Sequence, residues 1–415
     1  MLAKLKASLL SLVDAINVAA EPFEPFTRGL EIGPGETLTP SRLDEMAGYS
    51  DQHLSGFLSE GGKFYVYSIP NDMGDLCIWQ GVYTAMRCLE AKATGQGNGK
   101  AVTALYGLLN FSDGILLRGY APDRYDGTVY QIDQGKAGQY WHGQDGALRR
   151  EDASLDSLAG WLFGMACAIK YLDLGEDTKK QIGRYAERFL AAGCRLLNRD
   201  GSMTRHGDCR PGFFQAPVRN LAATAVARLA YLANGNGKWL ELAQKYRHEF
   251  ERTETHVLWK HGFYNDNMAV LIGAAYCMMT FPSDPGHQEA LRGLRILADK
   301  QRKHGNALLT ALCRLLGAPL SARQEQIAEQ VLLEFSPRLT SPNGKGPAIQ
   351  RNSQDPAVKK VEWGGKMYAA QPLPIWKRPP QDFHWQRNPY QLDDGTEHRH
   401  NFLDFLIAYW ARRAA

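Results

Sequence analysis

The connections between apolar segments alternate in length along this chain, and that alternation limits the folds open to it. The turns at 95–99, 173–176, 234–237, 282–285 and 317–320 are short, whereas the connections ahead of about Asp75, Asp152, Pro217 and Glu397 are long. Antiparallel helices joined in this way gather the short turns at one end and the long loops at the other. Helical periodicity predicts twelve helices: 2–20, 75–93, 100–112, 152–172, 177–198, 217–233, 238–254, 264–281, 287–303, 306–316, 321–335 and 397–413. The segments that follow long loops are apolar all round, as in 158–169 or 268–280. Their partners, such as 177–198 or 238–254, are striped and charged. A helix apolar on every side is buried, and a striped one lies outside.

The expected fold is therefore all-α, one domain over 1–415. Six inner helices alternate with six outer ones, and 2–20 serves as outer partner to 397–413 to close the ring. The loops 21–74, 114–151, 199–216 and 336–396 share one face, with a short strand expected over 63–69.

Composition narrows the function. A formal charge of +4 over 415 residues, with no long basic run, speaks against nucleic acid as partner. No apolar run reaches the ~18 residues needed to cross a membrane. The seven cysteines include no CxxC pair, lie mostly in apolar helices and are odd in number. They read as buried free thiols in a reducing, cytoplasmic setting rather than as a disulfide frame or a zinc site. The first twenty residues, with Lys4 and Lys6 ahead of apolar residues, carry some features of a signal peptide. Leu2, Leu5, Leu9, Leu12, Val13 and Ile16 fit one helical face better. Phosphate-binding, dinucleotide-binding, nucleophile-elbow and HExxH motifs are lacking, so neither cofactor nor metal is expected. The oligomeric state is left open.

This ring of inner and outer helices resembles the (α/α)6 toroid, and the resemblance, which is architectural, covers nearly the whole chain. Many such toroids are glycoside hydrolases, polysaccharide lyases or sugar epimerases. The resemblance implies a cleft at the N-terminal ends of the inner helices, beneath the long loops, and a carbohydrate substrate.

Residues at those ends suit that chemistry. Asp152, Asp156, Gly160 and Gly164 recur every four residues along one stripe, the carboxylates leading and the glycines leaving room for close backbone packing. Asp156 or Asp152, paired with Asp75, is the expected acid/base set for glycosidic cleavage. Asp75 and Asp152 also stand where helix caps belong. Asp156, one turn in, needs an arginine such as Arg149 or Arg150 if it serves only structure. Asp266 reads as a further cap. Trp79, Tyr83, Tyr140, Trp141 and Trp385 are expected to stack on sugar faces, and Arg210, Asn265, Asn267 and Arg387 to bond hydroxyls or acidic groups. A rival set for elimination from a uronate uses His206 as base with Tyr264 and Arg210. A third possibility is a non-catalytic toroid that binds a glycan or serves in an assembly.

Overall fold

The computed structural model describes residues 41–65, 73–96, 98–122, 134–212, 217–251, 263–301, 304–335, 352–378, 383–392 and 402–415. The expected helix 2–20 lies outside them. The described residues form twelve α-helices: α1 Ser41–Leu54, α2 Leu76–Thr94, α3 Asn98–Leu109, α4 Leu155–Tyr171, α5 Glu176–Ala191, α6 Pro217–Asn234, α7 Gly237–Glu251, α8 Phe263–Met278, α9 Pro285–Lys300, α10 Ala307–Leu315, α11 Ala322–Leu333 and α12 Leu403–Ala414. The chain is mostly helical, and none of the described helices is long and apolar enough to cross a membrane.

Eleven of these match the expected helices closely; α1 does not. It lies within the stretch 21–74 read as loop, yet Leu43, Met46, Ala47, Ser50 and Leu54 are its buried positions, a helical stripe on a short polar segment. α1 lies beside the C-terminal helix. The Tyr409 hydroxyl donates to Asp44 Oδ1 at 2.6 Å. Buried Arg87 of α2 reaches Asp51 of α1 at 2.6 Å and Glu90 at 2.7 Å.

The long loops carry more order than expected. Strands β1 (Leu58–Ser59) and β2 (Phe64–Tyr65) pair antiparallel, and 66–69 of the expected strand lie outside the described residues. Strands β3 (Gly119–Ala121), β4 (Tyr140–His142) and β5 (Leu148–Arg150) form an antiparallel sheet with β5 central. The helix expected to reach 198 ends at Ala191, because Gly193 and Cys194 adopt φ of 66° and 59° and turn the chain into a hairpin, β6 (Arg195–Leu197) and β7 (Met203–Asp208). A last hairpin joins β8 (Lys360–Trp363) and β9 (Lys366–Ala369).

The closest packing in the molecule is that of α2 on α4, and it follows from the glycine stripe. A Cβ on Gly160 would lie 2.3 Å from the Cα of Ile78, and one on Gly81 would lie 1.9 Å from the Gly160 carbonyl oxygen. Gly164 is nearly as confined, against Leu108 and Gly81. Only hydrogen fits at these positions. Around that seam α4 buries Leu158, Trp161, Leu162, Phe163 and Met165 completely, each stabilising the fold by roughly 1.5–3 kcal/mol. α2 also packs on α12, α4 on α8, α6 on α8, and α10 on α12, while α9 bridges α8 and α10.

Candidate functional site

The first turns of α2 and α4 stand side by side, with Cys77 Sγ 3.5 Å from the Ser157 carbonyl. Asp75, at the N-cap position of α2, has φ −125° and ψ 9°, and its side chain makes no capping bond, contrary to the expectation of a cap. Ser154, not Asp152, stands at the N-cap of α4, where its own N–H donates to Ser157 Oγ at 3.3 Å. Asp156 follows in the first turn, half-buried, with Ser154 Oγ 3.4 Å from its Oδ2. The two arginines suggested for it have other partners as well. Arg149 is held by Asp145 at 2.6 and 2.7 Å, and Arg150 Nε bonds Gln139 at 3.3 Å.

Asp152 occupies a conformation that few residues other than glycine adopt, φ 66°. Four bonds hold it there, and a fifth fixes Arg118 beside it. Its Oδ1 accepts the Arg205 N–H of β7 at 2.9 Å, and its Oδ2 lies 3.4 Å from Gln139 Nε2. Its own N–H reaches Asn198 Oδ1 at 3.2 Å, its carbonyl accepts Arg118 Nη1 at 3.1 Å, and Arg118 N–H bonds the Arg150 carbonyl at 2.9 Å. The strain is thus over-determined by the surrounding loops. Asp152 acts as a strap that fixes the sheet and the β6–β7 hairpin over the start of α4.

The aromatic residues divide. Tyr140 and Trp141 on β4 are half-buried beneath cations, with Arg150 5.4 Å from the Tyr140 ring and Arg199 4.4 Å from that of Trp141. Trp79, Tyr83 and Trp385 are sealed in the core, which corrects the expectation that they line a cleft. The Tyr83 hydroxyl donates to the Gly62 carbonyl at 2.7 Å, the Trp79 ring lies 4.8 Å from Phe383, and Trp385 Nε1 donates to the Asp404 carbonyl at 2.7 Å. The segment 383–390 lies over the helix ends as a plug. It touches α2 through Phe383, α12 through His384 and Trp385, and His304 ahead of α10 through Tyr390, 5.2 Å between rings; His384–Gln386 also packs on α8. Arg387 is exposed at its edge. His206 and Arg210 are exposed too; His206 sits on β7, and Arg210 is clamped on Asp208 at 2.8 and 2.9 Å.

The start of α8 holds a carboxylate perturbed by burial. Asp266 is 2% exposed. Asn306 caps α10 by accepting the Leu309 N–H at 3.0 Å, and its amide donates to Gln301 Oε1 at 2.8 Å. That bond turns the Gln301 amide so that Nε2 donates to Asp266 Oδ2 at 3.1 Å, with Lys300 Nζ at 3.5 Å. Burial raises the Asp266 carboxyl above the usual carboxylate range despite Lys300 and Gln301. Among the described residues its Oδ1 has no hydrogen-bond partner, and neither has Nδ2 of the adjacent buried Asn267. Unmet buried polar atoms each cost about 1–3 kcal/mol. The side chains of Tyr264 and Asn265 lie outside the described residues.

Sequence reasoning took Asp266 for a cap. Asn265, Asp266 and Asn267 occupy the first turns of a strongly apolar helix, and that setting was the available signal of burial. The cap belongs to the turn before, since Asp266 is the fourth residue of α8.

No known family model matches this chain, and no curated protein is significantly similar to it in sequence.

Proposed function

We propose that the helices form an (α/α)6 toroid and that the chain is a hydrolase of glycosidic bonds, acting without cofactor at the N-terminal ends of α2, α4 and α8. Asp266 is the general acid. The observation that carries this role is a buried carboxyl raised above its ordinary range with one oxygen unpartnered, the condition a proton donor to a glycosidic oxygen requires near neutral pH. The unpartnered amide of Asn267 supplies a donor for a sugar hydroxyl. Asp156, half-buried in the first turn of α4, is the second carboxylate, and Asp75, at the N-cap of the neighbouring α2, is the alternative to it. Asp152 is a positioning residue, because both its oxygens already serve the backbone of β7 and Gln139.

Elimination from a uronate is the less favoured chemistry. The arginine that would neutralise the substrate carboxylate, Arg210, is already paired in bidentate fashion with Asp208.

The test is a panel of neutral and acidic polysaccharides, read for new reducing ends and for the ultraviolet absorbance of an unsaturated product. Reducing ends without absorbance are expected, falling at least ~100-fold in Asp266→Asn and in Asp156→Asn, in line with loss of an acid or base. Full activity in Asp266→Asn would remove the proposal, and rising absorbance would replace hydrolysis by elimination.

A further inference from the structure

A groove of about 940 Å³ runs between α3, α5 and the start of α7, on the outer wall of the molecule. Its shape follows from two glycines. At Gly107 a Cβ would lie 2.0 Å from the Lys63 carbonyl oxygen, so only glycine lets the β1–β2 hairpin settle on α3; Gln80 Nε2 pins that oxygen at 3.0 Å and sets Lys63 on the rim. At Gly114, with φ 86°, a Cβ would stand 3.4 Å from Arg188 Nη1, which places the Arg188 guanidinium beside the loop that leaves α3.

The opposite wall is α5. It buries Ile182, Tyr185, Ala186 and Phe189 and turns Arg184 and Arg188 outward. Tyr185 meets Trp161 of α4 edge-on at 4.9 Å, which anchors this wall to the core. Lys238, over the Trp239 ring at 4.3 Å, closes the far end.

The charges in the groove are unbalanced. Lys63, Arg184, Arg188 and Lys238 face two acids, Asp113 and Glu187. Glu187 is already engaged, accepting Trp239 Nε1 at 2.8 Å and the Asn234 amide. Among the described residues neither Arg184 nor Arg188 has an ion-pair partner. Cations gathered on a concave wall focus a positive potential and attract anions. Beside them Tyr106 is 48% exposed, an unusual setting for a large ring.

We infer that this groove binds a short acidic oligosaccharide, with carboxylates on Arg184, Arg188, Lys63 and Lys238 and a pyranose face on Tyr106. The cations come from the β1–β2 hairpin, α5 and α7 rather than from one point, a spread that suits carboxylates repeated along a chain. Asn110 and Gln181 in the same lining offer bonds to hydroxyls. This site is separate from the helix ends that carry the proposed chemistry, and its occupancy does not depend on cleavage.

Titration calorimetry of the full chain tests it with three probes: trigalacturonate, the same trisaccharide as its methyl ester, and ATP. Trigalacturonate is expected to bind, and to weaken at least ~10-fold as salt rises to about 1 M, where screening is strong. The ester, which keeps the sugars and loses the charges, is expected to bind at least ~10-fold more weakly. Arg184→Glu with Arg188→Glu should cost a similar factor with an unchanged melting temperature, both side chains being exposed. Asp266→Asn should bind as the parent does, whether or not the parent cleaves any glycan. No heat with trigalacturonate, equal binding of the ester, tighter binding of ATP, or loss of binding in Asp266→Asn would each overturn the inference.

Discussion

His384 Nδ1 lies 2.6 Å from Asp404 Oδ2, and the same oxygen accepts the backbone N–H of His384 at 3.0 Å. Asp404 Oδ1 bonds the Phe405 N–H at 2.8 Å, so one fully buried carboxylate joins the plug segment to the first turn of α12. Phe402, just ahead, takes φ 61° to make the approach.

Asp404→Ala is therefore expected to destabilise the protein by at least about 1–3 kcal/mol, the cost of leaving buried donors such as the His384 N–H unsatisfied. Chemical denaturation measures this directly. Trp385 supplies a local readout, because its indole N–H bonds the Asp404 carbonyl: its emission should shift to the red in the variant before global unfolding. An Asp404→Ala protein as stable as its parent would show that the plug is held by its aromatic contacts alone.

Asp266 predicts a pH dependence of unusual sign. Its folded pKa is raised above the unfolded value of about 3.9. The folded state then binds the proton more tightly, so stability is greatest below the unfolded pKa and is lost as pH rises through the folded one. Acidifying through that raised pKa adds stability at this site, whereas His287, whose pKa burial lowers, loses it on acidification. Asp51 opposes this at lower pH. Burial alone would raise it, but Arg87 and Lys100 outweigh burial and lower its carboxyl below the usual value, so its contribution is lost as pH falls through that depressed pKa. Asp266→Asn should remove the first limb and melt higher than the parent at pH 7. A melting-temperature difference between parent and Asp266→Asn that does not change with pH would contradict this account.

Gly160→Ala forces a methyl against the Ile78 backbone, which no side-chain rotation relieves. A loss of roughly 3 kcal/mol is expected, at the upper end for overpacking. Gly175→Ala meets nothing within 4 Å and serves as control, with a melting temperature close to the parent's.

All seven cysteines are buried and unbridged. Burial pushes Cys194 up to about 11 and Cys209 and Cys313 up to about 12, and the remaining four are raised as well. A disulfide reagent at pH 8 should label none of them rapidly in the native protein and all seven in denaturant, since the thiolate is the nucleophile. Fast labelling of any one would locate an opening of the core.

Helices were legible wherever burial repeats at helical spacing, and the Asp152–Gly164 stripe foretold close backbone packing on α4 but not that α2 is the helix packed there. The loops were not. Whether Trp79 and Trp385 face solvent or each other's neighbours is decided by how 383–390 folds back, and no local pattern encodes that return. Asp152 was misread for a related reason: its left-handed conformation and its bonds to Arg205, Gln139 and Asn198 arise from three separate loops. Asp266 is raised by burial against the pull of Gln301 and Lys300, both from the end of a different helix, and that balance is set by tertiary packing. Pairings set by short-range spacing survive translation into structure; those set by long-range closure do not.

The bond between Tyr409 and Asp44 joins residues 365 positions apart. A ribosome adding roughly 5–20 residues per second needs on the order of 20–70 s to travel from one to the other. Throughout that interval α1 and the α12-facing side of α2 lack the contacts that α12 makes with them in the finished fold. The nascent protein thus spends most of its synthesis with an open flank, and its vulnerability to aggregation and to chaperone capture is set by elongation time rather than by the stability of the finished fold.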